Sequence, residues 1–94
     1  LKLGAARRET SWDGRPIDLT VTEFNLLEAL MRSGDTVATK DALSLTALGR
    51  ARQPYDRSID VHISNLRLKL HAATAARLTI ETVRGVGYRI QVAA

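Results

Sequence analysis

Hydrogen-bonding, cationic and aliphatic side chains recur along Asp56–Leu70 at a spacing that would bring them onto one side of an α-helix. At about 100° per residue, this side carries Arg57, Val61, Ser64, Asn65 and Leu68. Its flanks carry His62, Arg67 and Lys69. Side chains of these types can pair with base edges and contact thymine methyl groups when a helix lies in the major groove of B-DNA.

The opposite side of the same segment is apolar. Its members fall at i, i+4, i+7 and i+11, which is the spacing of a buried helix face, and they are Ile59, Ile63, Leu66 and Leu70. The pattern therefore predicts a helix over 56–70 that packs on a core through these four residues. The outward side is either a surface that contacts DNA or an ordinary solvated face, and the helix alone leaves both open.

The charge of the chain is uneven along its length. Residues 1–49 carry six basic and seven acidic side chains, whereas residues 50–94 carry eight basic and three acidic ones, a net charge of +5. A basic half favours a polyanionic partner, although a solubilising surface charge would give the same count.

Ninety-four residues are enough for one small domain with a thin core. The chain begins at Leu1 rather than at methionine, so we expect a domain excised from a longer protein. It has no cysteine, hence no disulfide or thiolate site, and no apolar run long enough to span a membrane. His62 and His71 are isolated, so we expect no catalytic residues, metal site or cofactor.

The first twenty residues indicate an antiparallel sheet of three or four strands. Asp13-Gly14 is a two-residue hairpin signal between the predicted strands Arg8–Trp12 and Pro16–Leu19. Ile17 and Leu19 share a parity, so both are expected to face inward. Trp12 is expected to pack on the sheet rather than to contact a ligand.

Two helix starts follow. Thr20 and Glu23 form a capping-box pattern at the start of a helix that reaches Ser33, with Gly34 as its terminator. Thr39 caps a second helix, in which Ala42, Leu43 and Leu48 are expected to pack inward. Thr36–Ala38, between the two helices, is predicted to be extended.

The third helix is preceded by a long polar connector and followed by a hairpin. The connector, Gly49–Tyr55, includes Arg50, Arg52 and Gln53 and is expected at the surface. Residues 71–77 are predicted to be a loop or a frayed helix end. Apolar and polar residues alternate in two later segments, which predicts strands over Leu78–Thr82 and Tyr88–Val92 with a glycine-rich turn between them. In the second strand, one face carries Tyr88, Ile90 and Val92.

The order of sheet, three helices and hairpin predicts an α+β fold of the winged helix-turn-helix class, one domain over residues 1–94. In such a fold a helix lies in the major groove and the hairpin, the wing over residues 82–88, reaches the neighbouring minor groove. Arg84 at the wing tip suits a narrow minor groove. Arg57, Arg67 and Lys69 are placed for phosphates, Val61 for a thymine methyl and Asn65 for a base edge.

Three segments together resemble the C-terminal DNA-binding domain of OmpR/PhoB-type response regulators. They are Leu19–Leu27 with the pattern LTxxExxLL, Asp56–Leu70 with DRSIDVHISNLRxKL, and Thr82–Tyr88 with TVRGVGY. The sequence of Tyr55–Leu70 most resembles the CpxR branch of this family. The resemblance covers essentially the whole chain.

The resemblance implies a cytoplasmic bacterial transcription factor. Its receiver domain would lie upstream and be phosphorylated by a histidine kinase, and family members bind direct-repeat sites in double-stranded DNA as tandem dimers. Matching positions imply DNA contacts by Arg57, Val61, His62, Ser64, Asn65, Arg67, Thr82 and Arg84. The loop Gly49–Tyr55, with Arg50, Arg52 and Gln53, matches the segment that contacts RNA polymerase in the family.

Two departures from the family pattern bear on these contacts. Leu68 stands where the family usually has Arg or Lys, which implies that one phosphate contact is missing. The connector starts with Leu48-Gly49 instead of an aromatic residue and glycine. This difference weakens the inferred contact with RNA polymerase more than the inferred contacts with DNA. Asp60 is expected to pair with a nearby cation or to cap a neighbouring element.

The main alternative is a winged-helix module that binds a protein through the same helix face. The net charge of +5 on residues 50–94 argues against it, because the partner would have to be strongly acidic. An enzyme is disfavoured, because Ser58 and Ser64 have no base-and-orienter pair in the local sequence.

Overall fold

The described part of the chain forms two three-stranded antiparallel sheets, three α-helices and one π-helical turn. The computed structural model describes residues 2–4, 9–53 and 56–92. The elements are β1 (Lys2–Gly4), β2 (Glu9–Trp12), β3 (Arg15–Pro16), α1 (Val21–Ser33), β4 (Ala38–Thr39), α2 (Lys40–Leu43), α3 (Ser58–Thr74), β5 (Leu78–Val83) and β6 (Gly87–Val92). This is a winged helix-turn-helix arrangement, as predicted. Among the described residues, no helix has both the length and the apolar character needed to cross a membrane.

The N-terminal sheet has the order β1-β2-β3. Asp13 and Gly14 form its predicted hairpin turn and both have positive φ, at 51° and 77°, as a two-residue primed turn requires. Strand β3 is shorter than the predicted Pro16–Leu19, while Arg8 lies outside the described residues. Trp12, Ile17 and Leu19 are half-buried against the core, which confirms their predicted packing role.

Helix α1 begins with the predicted capping box. The Thr20 hydroxyl accepts from the Glu23 N–H at 3.1 Å, and a Glu23 carboxylate oxygen accepts from the Thr20 N–H at 2.9 Å. The helix ends at Gly34, whose φ is 57°. Its buried apolar residues are Phe24, Leu26, Leu27 and Leu30.

Helix α2 is capped by Thr39 as predicted, but it lasts only one turn and continues as a π-helical turn over Ser44–Leu48. Leu43 is buried, as predicted. Ala42 is exposed, so the predicted inward position of Ala42 is wrong. The wider turn places Ser44 in the interior, where its hydroxyl donates to the Arg50 carbonyl at 2.8 Å. This bond fixes the start of the connector to α3.

Helix α3 begins two residues later and ends four residues later than the predicted span 56–70. Its buried face is the predicted one, Ile59, Ile63, Leu66 and Leu70, with Thr74 added. Residues 71–74 are therefore helical, so of the two predicted alternatives for 71–77, a loop or a helix end, the loop is wrong for these four residues. The buried Thr74 hydroxyl explains the extension, because it donates to Leu70 O at 2.7 Å and accepts from Leu78 N at 3.0 Å.

The C-terminal sheet has the order β4-β6-β5, so the predicted hairpin is one part of a three-stranded sheet. Ala38 and Thr39 pair with Tyr88 and Gly87. A Cβ atom on Gly87 would lie 2.0 Å from the Ala38 carbonyl oxygen, so the close approach of β4 requires glycine there. Tyr88 is buried, but Val92, at the far end of β6, is exposed.

Candidate nucleic-acid interface

One side of helix α3 is exposed to solvent along its whole length. We call it the outer face, and it consists of Val61, Ser64, Asn65 and Leu68, all exposed. Because the four predicted core residues of α3 are each at most 2% exposed, the register that presents Asn65 outward is fixed by packing. The geometry expected for a helix that enters a groove is therefore present.

The start of α3 is stabilised by an acid and a cation from outside the helix. Asp56 accepts from the Ser58 N–H at 2.9 Å and from the Arg50 guanidinium at 2.6 Å. These bonds, that from Arg50 first, hold the pKa of the Asp56 carboxyl well below its usual range. Arg57 is exposed next to this cluster, immediately before the first residue of the helix.

Arg67 lies on the flank of α3 that faces the C-terminal sheet. Its Nε donates to the Ile80 carbonyl at 3.1 Å, and a terminal nitrogen donates to the Thr82 hydroxyl at 2.7 Å. Both acceptors belong to β5, the strand that leads to the turn of the hairpin. The side chain that the sequence suggested for a phosphate thus has a second role, which is to hold α3 and β5 together.

Lys69 lies on the opposite flank and reaches helix α1. Its ammonium is 2.6 Å from Glu23 Oε1, which belongs to the capping box of α1. Burial by itself would raise the pKa of Glu23, but the hydrogen bonds from Lys69 and Thr20 outweigh it and lower the pKa below its ordinary value. Lys69 therefore joins α3 to α1. His62 lies half-buried on the same flank.

Asp60 anchors the first turn of α3 to both neighbouring elements. Its carboxylate accepts from the Tyr88 hydroxyl and lies 3.0 Å from the Lys40 ammonium, which confirms the expected pairing with a cation. Burial by itself would raise the pKa of Asp60. The hydrogen bonds from Tyr88 and Lys40 outweigh this effect, so the pKa lies below its ordinary value. Burial and the bond to Asp60 raise the pKa of Tyr88 to about 12.

Sequence reasoning did not identify the contributions of Lys40 and Tyr88. Two cations lie near the Tyr88 ring, with Lys40 Nζ at 5.9 Å and the Arg67 guanidinium at 6.0 Å from its centre. The alternation of β6 predicted only that Tyr88 shares a face with Ile90 and Val92. The signal for Lys40 is absent from the sequence because its partners lie on other elements.

The wing, residues 82–88, is the tip of the hairpin that β5 and β6 form. Arg84 is exposed in the turn between these strands, Gly85 has a φ of 76°, and the Val86 N–H donates to the Val83 carbonyl at 3.0 Å. Thr82 contacts Arg67 of α3, so the wing tip starts two residues beyond a direct contact with that helix. The outer face and Arg84 therefore belong to neighbouring elements, as predicted.

The connector before α3 also lies at the surface. Arg50, Arg52 and Gln53 are exposed, while Pro54 and Tyr55 lie outside the described residues. Arg52 is 4.0 Å from the Asp41 carboxylate and lines a shallow cleft with Lys40, Gly85 and Val86. The connector thus adjoins the wing tip.

Across the described ranges 2–4, 9–53 and 56–92, no three His, Cys, Asp or Glu side chains are grouped so that they could hold a metal ion.

Comparisons with known proteins agree on the family of this chain. The family model described as "transcriptional regulatory protein, C terminal" matches residues 14–90. The transcriptional regulatory protein CpxR of Escherichia coli strain K12 is 43% identical over 88 residues, which are 94% of this chain and 38% of that protein. The chain thus spans less than half the length of this curated relative.

Solved structures agree with the sequence comparison. The crystal structure of the DNA-binding domain of CpxR from E. coli matches with a TM-score of 0.86 and 41% identity, over 98% of this chain and 90% of that one. The DNA-binding domain of Klebsiella pneumoniae RstA, crystallised in complex with the RstA box, matches with a TM-score of 0.82 and 30% identity, over 95% and 88% of the two chains.

Proposed function

The chain belongs to the family of transcriptional regulatory protein C-terminal domains, of the OmpR/PhoB type, and from this premise we propose that it binds double-stranded DNA sequence-specifically as the output domain of a two-component response regulator. Helix α3 lies in the major groove, and the wing enters the neighbouring minor groove. The family comprises transcriptional regulators rather than enzymes.

The observation that carries this proposal is the exposed outer face of α3 beside an exposed Arg84. The two acids at the start of α3 are each paired with a cation, Asp56 with Arg50 and Asp60 with Lys40. A DNA backbone approaching α3 would therefore meet little uncompensated negative charge. The net charge of +5 on residues 50–94 favours the same partner.

We assign roles to the proposed DNA-binding residues from their positions. Val61, Ser64 and Asn65 face the bases, Arg57 and His62 face the phosphates, and Thr82 and Arg84 belong to the wing. Arg67 and Lys69 lie on the flanks of α3 and are half-buried. They orient the helix through β5 and α1, and they remain near enough to the surface to contact phosphates.

The connector is proposed to contact RNA polymerase through Arg50, Arg52 and Gln53. Its exposure supports this proposal, and so does the bond from Ser44 to the Arg50 carbonyl, which gives the segment a defined start. The Arg50 guanidinium is paired closely with Asp56, at 2.6 Å, whereas Arg52 is 4.0 Å from Asp41 and so is held less tightly.

The remaining properties concern the full-length protein. We propose a receiver domain upstream of residues 1–94, phosphorylated by a cognate histidine kinase, in a cytoplasmic protein that binds direct repeats as a tandem dimer. The part of the relatives that this chain does not cover leaves room for such a domain. Titration of a duplex with one or two half-sites measures the stoichiometry and cooperativity of binding.

Salt dependence tests the proposed function. Duplexes recovered from a random pool are titrated with the chain at several salt concentrations. We expect log K to fall with log salt by about 0.9 for each phosphate contacted. Failure to bind any duplex at low salt would reject DNA binding and favour a winged-helix module that binds a protein.

A further inference from the structure

Two aliphatic side chains stand out on the outer face of α3. Leu68 is 70% exposed and Val61 is 57% exposed, although the opposite face of this helix is fully packed. Single exposed aliphatic residues are common on protein surfaces. These two are informative because they lie on the face that is proposed to meet DNA.

The spacing of the two residues would let them contact different base pairs. They are seven residues apart, which places them on the same side of α3 about 10.5 Å from each other. This distance is roughly three base-pair steps of about 3.4 Å. Ser64 and Asn65, both exposed, lie between them and can form hydrogen bonds to base edges.

We propose that Leu68 is a specificity-determining residue that contacts the C5-methyl group of a thymine in the major groove. This thymine is distinct from the one already assigned to Val61 and lies about three steps from it. The thymine methyl is the apolar group that the major groove presents. An apolar protein partner fits less well, because two aliphatic side chains separated by Ser64 and Asn65 form a much smaller patch than a protein interface uses. The basic charge of residues 50–94 also favours the duplex.

This inference rests on the proposed function, and it can be tested separately from it. The parent chain is titrated with a duplex selected from a random pool, and then with versions in which one thymine at a time is replaced by uracil. Uracil removes only the methyl group. We expect about a fourfold weaker affinity at each of two positions, as for the loss of one buried methyl or methylene group.

Variants of Leu68 identify which methyl belongs to it. In Leu68→Ala the response to uracil should disappear at one position and persist at the other. In Leu68→Lys it should also disappear there, while the salt slope steepens by about 0.9 because a phosphate contact is gained. Val92→Ala is the matched control, since Val92 is 67% exposed at the far end of the wing hairpin and should leave both responses unchanged.

The outcomes are distinct. Loss of one uracil response in Leu68→Ala supports the proposal. Equal responses in the parent and in Leu68→Ala would overturn it, as would parent binding that ignores every uracil. Absence of any duplex binding would reject the proposed function together with this inference.

Discussion

The Arg67 guanidinium donates to the Thr82 hydroxyl across 2.7 Å, and this contact joins helix α3 to the strand that leads to the wing tip. A second bond, from Arg67 Nε to the Ile80 carbonyl, fixes the orientation of the guanidinium. Arg67 therefore helps to fix the angle between the helix proposed for the major groove and the wing proposed for the minor groove, together with the bonds from Tyr88 to Asp60 and from the Leu78 N–H to Thr74.

Lysine at position 67 would keep the charge but could not reach both acceptors, because it lacks the planar fork of arginine. We expect Arg67→Lys to lower the free energy of unfolding by about 1 kcal/mol and to weaken the preference for A·T-rich flanks. Urea unfolding and titration of duplexes with different flanks measure the two effects. Arg77→Lys, at an exposed position after α3, is the control. If Arg67→Lys matches the parent in both assays, Arg67 acts only as a charge.

Removal of the cation at the wing tip should affect DNA binding without affecting the fold. Because Arg84 is exposed, Arg84→Ala should keep the parent's stability. It should bind more weakly and lose preference for A·T-rich flanks, whose narrow minor groove attracts arginine. Footprinting and titration measure both properties, with the exposed Arg15→Ala on the other sheet as the control. An unchanged flanking preference would show that the wing does not enter the minor groove.

Asn65 should contribute discrimination at a single base position. We expect Asn65→Ala to lose roughly 1–3 kcal/mol of discrimination there and to unfold like the parent, since Asn65 is exposed. Binding to a set of duplexes with single base changes measures this. A uniform loss across all sequences would instead identify Asn65 as a contact to the backbone.

The ion pair between Lys69 and Glu23 should make stability depend on pH on the acid side. The native pKa of Glu23 is lowered, so its ionised form contributes stability above the ordinary glutamate value of about 4.3. This contribution is lost as the pH falls through the native pKa. We expect Lys69→Met to reduce stability by about 1–3 kcal/mol at pH 7, and the difference from the parent to shrink in acid.

Urea unfolding of both proteins between pH 7 and pH 2 measures this difference. Arg32→Met is the matched control, because Arg32 pairs with Glu28 at 3.6 Å on the exposed surface of α1. Such a pair contributes only a few tenths of a kcal/mol. A constant difference between Lys69→Met and the parent at every pH would mean that Lys69 acts through packing alone.

The end of α3 has a conformation that alanine adopts at a cost. Ala75 and Ala76 have φ values of 52° and 64°, in the left-handed region. We expect Ala75→Gly to raise the free energy of unfolding by up to about 1 kcal/mol, because glycine has no Cβ penalty there. Ala72→Gly, inside the same helix, should lower it by about 0.5–1 kcal/mol. Thermal unfolding measures both, and a loss in Ala75→Gly would contradict the assignment of strain.

The sequence predicted the features that depend on local spacing. The register of α3 followed from four apolar residues at helical intervals, and the Asp13-Gly14 turn followed from the backbone freedom of glycine. The capping box at Thr20 and Glu23 was also predictable from local spacing, because its two partners lie within one helical turn of each other.

The sequence did not predict features that depend on which element packs against which. The helical wheel placed Arg67 and Lys69 on the flanks of α3, but the partners of these residues lie 13 to 46 positions away along the chain. Strand β4 is only two residues long, so it has no periodicity to reveal its pairing with β6. The left-handed Ala75 and Ala76 were missed because alanine is typical of helix interiors.

The close approach of Gly87 to Ala38 limits how this domain could be re-engineered. Since the Ala38 backbone occupies the space of a side chain at position 87, the wing hairpin is not a modular part. A chimera that imports another wing must import the segment preceding α2 with it, or keep glycine at the crossing point.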